Sequence, residues 1–359
     1  MNLRVKPAQS GIALIIVMIC VAVLATLAAA FAYRMNVENR LIRNANAEAN
    51  FYALAQSGVD YCKSVLVAAA AEPEENWNGQ YVGSTSNGII NTIQAKNYTE
   101  ILGNGRFTFS ISNLESYANI NYADEPMLEQ AMRLMGVDAG DSGPIIASIL
   151  DWIDRDKNPH INGTESDYYE SLDPPYKAKD GFMDDLSELK LVRGAEVLYD
   201  GQGMNAPPPP PPSREQLGFD APPVRRVRPD ELFTTLSTGQ ININTASEEV
   251  LQLIHPAIDP NIAQRIVWCR NGQDTGQPTP FRNPGEAFIC AGLNQDIINQ
   301  IQSRNRATTK GVTFEVHINV EIDGVRRDYV AVLRRNQRDV QVLTFYWKQN
   351  DSASHADAG

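Results

Sequence analysis

Residues 12–33, IALIIVMICVAVLATLAAAFAY, contain no charge, and they constrain the chain more than any other stretch. As a helix they span roughly 33 Å, enough to cross the hydrocarbon core of a bilayer. A short polar leader with Arg4 and Lys6 precedes them and ends at Gly11. A cleaved secretory signal would have a shorter apolar core with small residues at a cut site after it. A plain signal anchor needs no Gly at this junction. From Arg34 onward no Pro or Gly occurs before Gly58. Apolar residues recur at Val37, Leu41, Phe51, Leu54 or Ala55, Val59, Cys62 and Leu66, a helical spacing. The pattern predicts one helix over 12–70, half in membrane and half carrying a soluble domain. It ends before Glu72-Pro73 and a polar, Gly-rich run.

At 359 residues the chain can build two or three folding units with real cores. The formal charge of −12 argues against a general nucleic-acid binder, which shows a basic face. An acidic domain suits calcium or protein partners, and solubility alone would also explain it. Basic residues flank the apolar stretch on both sides, so charge does not settle its orientation.

Strand patterns lie at the two ends of the soluble part. RFTFSIS (106–112) alternates, and VTFEVHINVEI, Asp323-Gly324 and VRRDYVAVLRR read as a hairpin with a tight primed turn. VQVLTFYW adds a strand, and the last residues, 350–359, read as a tail. Between these ends about two hundred residues, 115–310, are mostly helical in pattern, the mark of an insertion. They carry a weak repeat. NINYADEPML (119–128) matches NINTASEEVL (242–251), with Asp124 and Ser247 placed to cap helices. Each copy continues into a second helical pattern, PIIASILDWI and DPNIAQRIVWC, and then a Phe-led segment ending in Gly. Between the copies lies a segment, 206–224, with six consecutive prolines, a semi-rigid extended spacer.

The second copy resembles the helix-hairpin-helix unit of DNA-binding proteins. That unit needs a Gly-rich hairpin whose amides approach a phosphate. Here the hairpin is HPAIDP, without Gly and with Asp259 where an anion would approach, so a packing module is expected and no nucleic-acid partner. The strongest chemical signal is DWIDRDKNPHINGTE. Counting Asp154 as position one, oxygen-bearing side chains fall at Asp154, Asp156, Asn158, Asn162 and Glu165, the spacing of an EF-hand loop, with the His160 carbonyl at seven. Pro159 stands at position six, where the turn wants Gly, which departs from a strict EF-hand. The two readings are a Ca2+ loop of related geometry, held by Asp154, Asp156, Asn158 and Glu165, and an exposed acidic loop that caps the preceding helix. Cys269 and Cys290 form a disulfide if the domain is periplasmic, or are two buried thiols; spacing alone does not supply their Cα distance. GDSGP (140–144) resembles a protease nucleophile segment, but none of the four His stands in a matching context.

A basic leader, Gly11, and an apolar helix that turns amphipathic resemble the type IV pilin and pseudopilin class. The resemblance implies that a prepilin peptidase cuts between Gly11 and Ile12 and that the new amine of Ile12 is methylated. Family members carry Glu at the fifth mature position, where this chain has Ile16. In the family that buried carboxylate is thought to pair with the amine of the subunit above, and a buried charge needs such a partner. A subunit with nothing above it can lack the Glu. With ILDWIDRD, GTESDYY and two NIN-led repeats, the chain resembles the minor pseudopilin K family of type II secretion systems. The implied fold is α+β: a pilin-like long N-terminal helix on an antiparallel sheet, with a large mostly α-helical insertion of two similar helix-hairpin-helix or SAM-like subdomains. The implied divisions are a leader (1–11), the helix (12–70), the first α/β part (71–115), two helical subdomains (116–205 and 225–310) around the proline linker, the second sheet part (311–349) and the tail. The implied protein is a non-enzymatic tip subunit, anchored once in the inner membrane with its soluble domain in the periplasm. Its implied partners are minor pseudopilins I and J, other pseudopilus subunits, the inner-membrane secretion platform and the peptidase. The alternative function is a minor pilin of a related type IV filament, acting in DNA uptake or adhesion.

Overall fold

The computed structural model describes residues 10–70, 80–84, 90–94, 98–199, 227–272, 280–336 and 339–348. The leader residues 1–9, the six-proline run and the tail lie outside them. Helix α1 (Ser10–Ala70) is unbroken over 61 residues, and its apolar part is the one described helix long and apolar enough to cross a membrane. Strands β1 (Gln80–Ser84) and β2 (Ile90–Gln94) pair as a hairpin, followed by β3 (Tyr98–Leu102) and β4 (Gly105–Asn113).

The chain then leaves the sheet. It forms β5 (Ala118–Asn119), α2 (Glu125–Met135), α3 (Ala139–Ile153) and α4 (Ser166–Glu170). After two 3-10 turns come α5 (Pro229–Leu232), β6 (Phe233–Thr234) and β7 (Ile241–Asn242). Helices α6 (Glu248–Leu251), α7 (Pro260–Arg270), α8 (Pro284–Cys290) and α9 (Gln295–Ser303) lead to β8 (Ala307–Thr308). Three long strands end the described chain: β9 (Thr313–Ile322), β10 (Val325–Asn336) and β11 (Asp339–Lys348).

Five strands make one antiparallel sheet in the order β11-β10-β9-β4-β3. Strand alternation explains its burial. Phe107, Phe109 and Ile111 of β4 and Phe314, Val316, Ile318 and Val320 of β9 turn to one face, where they meet Phe51, Ala55, Val59, Cys62 and Leu66 of α1. Gly58 lets the helix lie close, since a Cβ there would stand 3.1 Å from Ile318 Cγ2. Asp323 and Gly324 both take positive φ, +50° and +81°, and so close the β9–β10 hairpin in the way its sequence predicts.

The insertion has its own core, separate from that of the helix and sheet. Met127, Leu128 and Met132 of the first copy join Val250, Leu251, Ile254 and Ile266 of the second in one contiguous buried cluster. The two copies therefore share a core. They also repeat at the level of hydrogen bonds. In the first, Asn119 Oδ1 accepts from the Asn121 amide, and the Asn121 side chain grips both backbone groups of Met183. In the second, Asn242 Oδ1 accepts from the Asn244 amide, and Asn244 grips both backbone groups of Phe281. Asp124 and Ser247 cap α2 and α6 through the amides of Met127 and Val250. Each copy closes with a short parallel pair, β5 with β6 and β7 with β8. The copies are locked by Arg306, which donates to Asp124, and by Ser116, which donates to Thr245.

The neck and the acidic loop

Two sites stand out chemically, and the first joins the insertion to the sheet. Glu115 follows β4 and is fully buried. Its Oε2 accepts from the amides of Val312 and Thr313, each at 2.8 Å, and its Oε1 from that of Thr238 at 3.2 Å. A buried carboxylate is costly unless such donors satisfy it, and these three come from the exit strand and the second copy. Close by, Arg335 donates to the carbonyls of Gly311 (2.6 Å) and Leu66 (3.5 Å) and lies over the Phe314 ring. Burial pushes its pKa down to about 10. The insertion therefore springs from the Leu66 end of α1, while the hairpin end of the sheet sits at Leu54, which a Cβ on Gly105 would meet at 2.6 Å.

The second site is the acidic loop after α3. The first copy carries eighteen acidic against seven basic residues over 115–199, so nearly all of the net charge resides there. Asp154 Oδ1 accepts from the Asp156 amide and Asp156 Oδ1 from the Asn158 amide, the Asx turns that wind such a loop. Asp154, Asp156 and Glu165 bring one oxygen each within 4.8 Å of one another. Asn158 joins the loop through its backbone, and its side chain is exposed. Glu165 Oε1 and Asp180 Oδ1 are buried without a hydrogen-bond partner among the described residues. Burial, and then the charges of Asp151 and Asp180, push the Glu165 pKa up to about 7. Burial and Asp156 likewise raise that of Asp154. Oxygen-only donors, converging charge and orphaned carboxylate oxygens are what a hard cation requires, so these residues fit calcium.

Asp151, at the end of α3, is a residue that loop spacing did not single out. Fully buried, it accepts from the His160 amide at 2.9 Å, from the Thr164 amide at 2.5 Å and contacts His160 Nδ1 at 2.5 Å. Its grip explains Gly163, where a Cβ would fall 2.0 Å from Asp151 Oδ2. His160 thus serves the loop through its ring and amide, and its carbonyl accepts from the Gly163 amide. The side-chain bond to Asp151 raises the His160 pKa. Tyr169 and Tyr176 pack beneath the loop, Tyr169 edge-on to Trp152 with ring centres 5.4 Å apart, and Tyr176 Oη donates to the Leu191 carbonyl.

The remaining residues singled out in the sequence fall elsewhere. Gly11 and Ile12 lie in the first turn of α1. Cys269 and Cys290, near the ends of α7 and α8, are joined in a disulfide with Cα atoms 6.5 Å apart. Asp259 caps α7 by accepting from the Ile262 amide at 2.8 Å, so the hairpin end of that helix is already filled by a carboxylate. Gly140–Pro144 of the GDSGP run is part of α3, where Ser142 donates back to the Ala139 carbonyl.

Residues 108–198 match the family model described as type II secretion system (T2SS), protein K. The chain is 25% identical over 253 residues to type II secretion system protein K of Pectobacterium carotovorum subsp. carotovorum, covering 67% of each chain. It is 23% identical to the putative type II secretion system protein K of Escherichia coli (strain K12), over 52% of this chain and 58% of that one. The fold is similar, with a TM-score of 0.58 and 14% identity, to a chain in the crystal structure of the GspK-GspI-GspJ complex from the enterotoxigenic Escherichia coli type 2 secretion system, covering 86% of this chain and 98% of that one. The matched segment spans the strand before the neck, the first NIN copy and the acidic loop, and with the relatives it places this chain in the type II secretion system protein K family, as a minor pseudopilin.

Proposed function

We propose that this chain caps the tip of a type II secretion pseudopilus, starting its assembly and supporting export of folded proteins across the outer membrane. What carries this reading is where the insertion is mounted. It rises from the Leu66 end of α1, the end away from the apolar span, and holds a core as extensive as that of the sheet. A head in that position blocks the addition of a further subunit above. Ile16, in place of the Glu that filament subunits carry, agrees with a subunit that has nothing above it.

In this role the chain is a structural subunit and not an enzyme. Prepilin peptidase cuts between Gly11 and Ile12, Ile12 is methylated, α1 stays in the inner membrane, and the sheet and insertion stand in the periplasm. Its partners are minor pseudopilins I and J, by analogy with the complex of its structural neighbour, followed by the other pseudopilus subunits and the inner-membrane platform. Ca2+ held by Asp154, Asp156, Asn158 and Glu165 neutralises the loop and ties it to α3, which stiffens the head.

The test is the intact mass of the protein extracted from membranes with and without an active peptidase. Loss of residues 1–11 and gain of one methyl group, only with the active enzyme, is the expected result. An unprocessed N-terminus in both samples would remove the pseudopilin role.

A further inference from the structure

The correspondence between the two NIN copies runs well past their first caps. Pro144, Ile146, Ala147 and Trp152 of α3 match Pro260, Ile262, Ala263 and Trp268 of α7 in order and spacing. Further on, Asp185 and Asn283 cap the next turns, and Glu188 and Glu286 reach back to accept from the amides of Asp184 and Arg282. Gly194 and Gly292, at φ +78° and +81°, follow at the same distance from those caps.

What differs is the segment in between. Trp152 lies 33 residues before its cap and Trp268 only 15. In the first copy the additional residues cover the tryptophan. Tyr169 packs edge-on to Trp152 with ring centres 5.4 Å apart, Tyr168 packs on Tyr169 at 5.3 Å, and the Arg193 guanidinium lies 5.1 Å from the Tyr168 centre. Trp152 is left 3% exposed. The second copy keeps the receiving half of this arrangement without the covering half. Trp268 is 38% exposed, and no ring packs on it among the described residues. Arg265 Nη1 donates to the carbonyl of Ala291, the position that matches Arg193, and so brings a guanidinium to the same end of the face. Ile289, which matches Leu191, is 65% exposed. Asn261, Gln264, Arg265 and Trp268 line a cleft of about 740 Å3, a size that takes a short peptide segment.

The first copy shows what seats on a tryptophan and arginine so placed. Its covering segment, 164–176, carries three tyrosines, four carboxylates and no basic residue. The charge of the cleft suits such an occupant. Glu248 also lines it, but its charge acts on the buried Arg270, whereas Arg265 makes no ion pair among the described residues. Trp and Arg are also the residues that anchor interfaces. We propose that the Trp268–Arg265 face of α7 is a docking slot for an acidic, tyrosine-bearing segment of a different protein. That segment supplies from outside the cover that the first copy supplies to itself. The slot lies wholly within the second copy, so it goes beyond the tip reading and does not depend on it.

The test labels the full-length protein in detergent with 5-fluorotryptophan and follows its four tryptophans by fluorine NMR, with Trp268→Phe assigning the signal. The probe is a synthetic peptide of residues 164–176. The expected result is a saturable shift of the Trp268 resonance alone. Arg265→Glu should weaken the binding about tenfold, as should alanine at Tyr168 and Tyr169 of the peptide. Arg265 is exposed, so the melting temperature of that variant should not change. An unmoved Trp268 resonance at about 1 mM peptide overturns the slot. So does a shift at Trp152 instead, which would mean that the peptide only displaces its own counterpart, and so does binding that Arg265→Glu leaves intact. A Trp268 shift on raising the protein concentration without peptide would give the slot to a second copy of this chain and overturn the assignment to a different protein.

Discussion

Glu115 Oε2 accepts a 2.8 Å hydrogen bond from the backbone amide of Thr313, 198 residues further along the chain. The same carboxylate holds Val312 and, through its other oxygen, Thr238. One side chain thus fastens the departure of the insertion, its return, and its second copy.

Replacing it should be costly. Glu115→Ala leaves three buried amides without an acceptor, a loss of about 3–5 kcal/mol. Glu115→Gln keeps one acceptor oxygen and should cost less. Urea unfolding of the detergent-solubilised protein would read the difference, and because the head and stalk have separate cores, the alanine variant should unfold in two steps. A single transition at the original midpoint would show that the carboxylate is not the fastening.

The Asn244 clamp on Phe281 makes the second expectation. Asn244→Ala strands the amide and carbonyl of Phe281 and loses the contact with the Thr309 carbonyl. A cost of about 2–3 kcal/mol follows for groups buried without partners. Asn244→Asp, which keeps the acceptor and loses the donor, should fall between, by the same denaturation measurement. Equal stabilities of all three proteins would contradict the clamp.

For the acidic loop, the proposed Ca2+ site predicts that calcium raises the melting temperature of the unaltered protein, and that Asp154→Asn combined with Glu165→Gln abolishes that rise. In excess chelator the variant should be at least as stable as its parent, since repulsion among the carboxylates is relieved. A loss of stability of the same size with and without calcium would sink the metal site.

The pH dependence has a definite sign. Glu165 moves from 4.5 in its ordinary setting to about 7 when folded, and Asp154 and His160 also shift upward. A group with a raised folded pKa holds its proton more tightly in the native state. Its contribution is complete below the unfolded pKa and is lost as pH rises through the folded one. In chelator the melting temperature should therefore fall as pH climbs through the interval from 4.5 to about 7. Calcium should flatten that slope, because the ion takes the place of the proton. A melting temperature independent of pH in chelator would contradict the crowding of these carboxyl groups.

Much of this architecture was legible in the residues. Unbroken helical spacing predicted α1, alternation predicted β4, β9, β10 and β11, and Asp323-Gly324 marked its turn. The caps Asp124 and Ser247 stood at the heads of the repeats. The short pairs β5–β6 and β7–β8 were not readable, since two-residue strands carry no periodicity. Glu115 gave no signal either, because its partners are backbone amides from distant segments. Of the loop, spacing found Asp154, Asp156 and Glu165, side chains that project from the loop itself. It missed Asp151, which lies on the helix before the loop, where an acidic residue reads as solvated surface. Only the fold reveals that Trp152 and Tyr169 bury that end of the helix.

The neighbouring strands β4 and β9 meet at Asn113 and Phe314 with the whole insertion between them. Of the five strands in the sheet, three are the last parts of the described chain to leave the ribosome, so β4, with β3 already at one edge, waits for its other neighbour β9 while two hundred residues are synthesised. The core of the insertion draws on none of those five strands, so it can close before they are all present. Local contacts form before distant ones because closing a long loop costs entropy first. Synthesis order and loop-closure entropy thus both favour a head that forms before its stalk, with the closing of β9 against β4 as the step that completes the sheet.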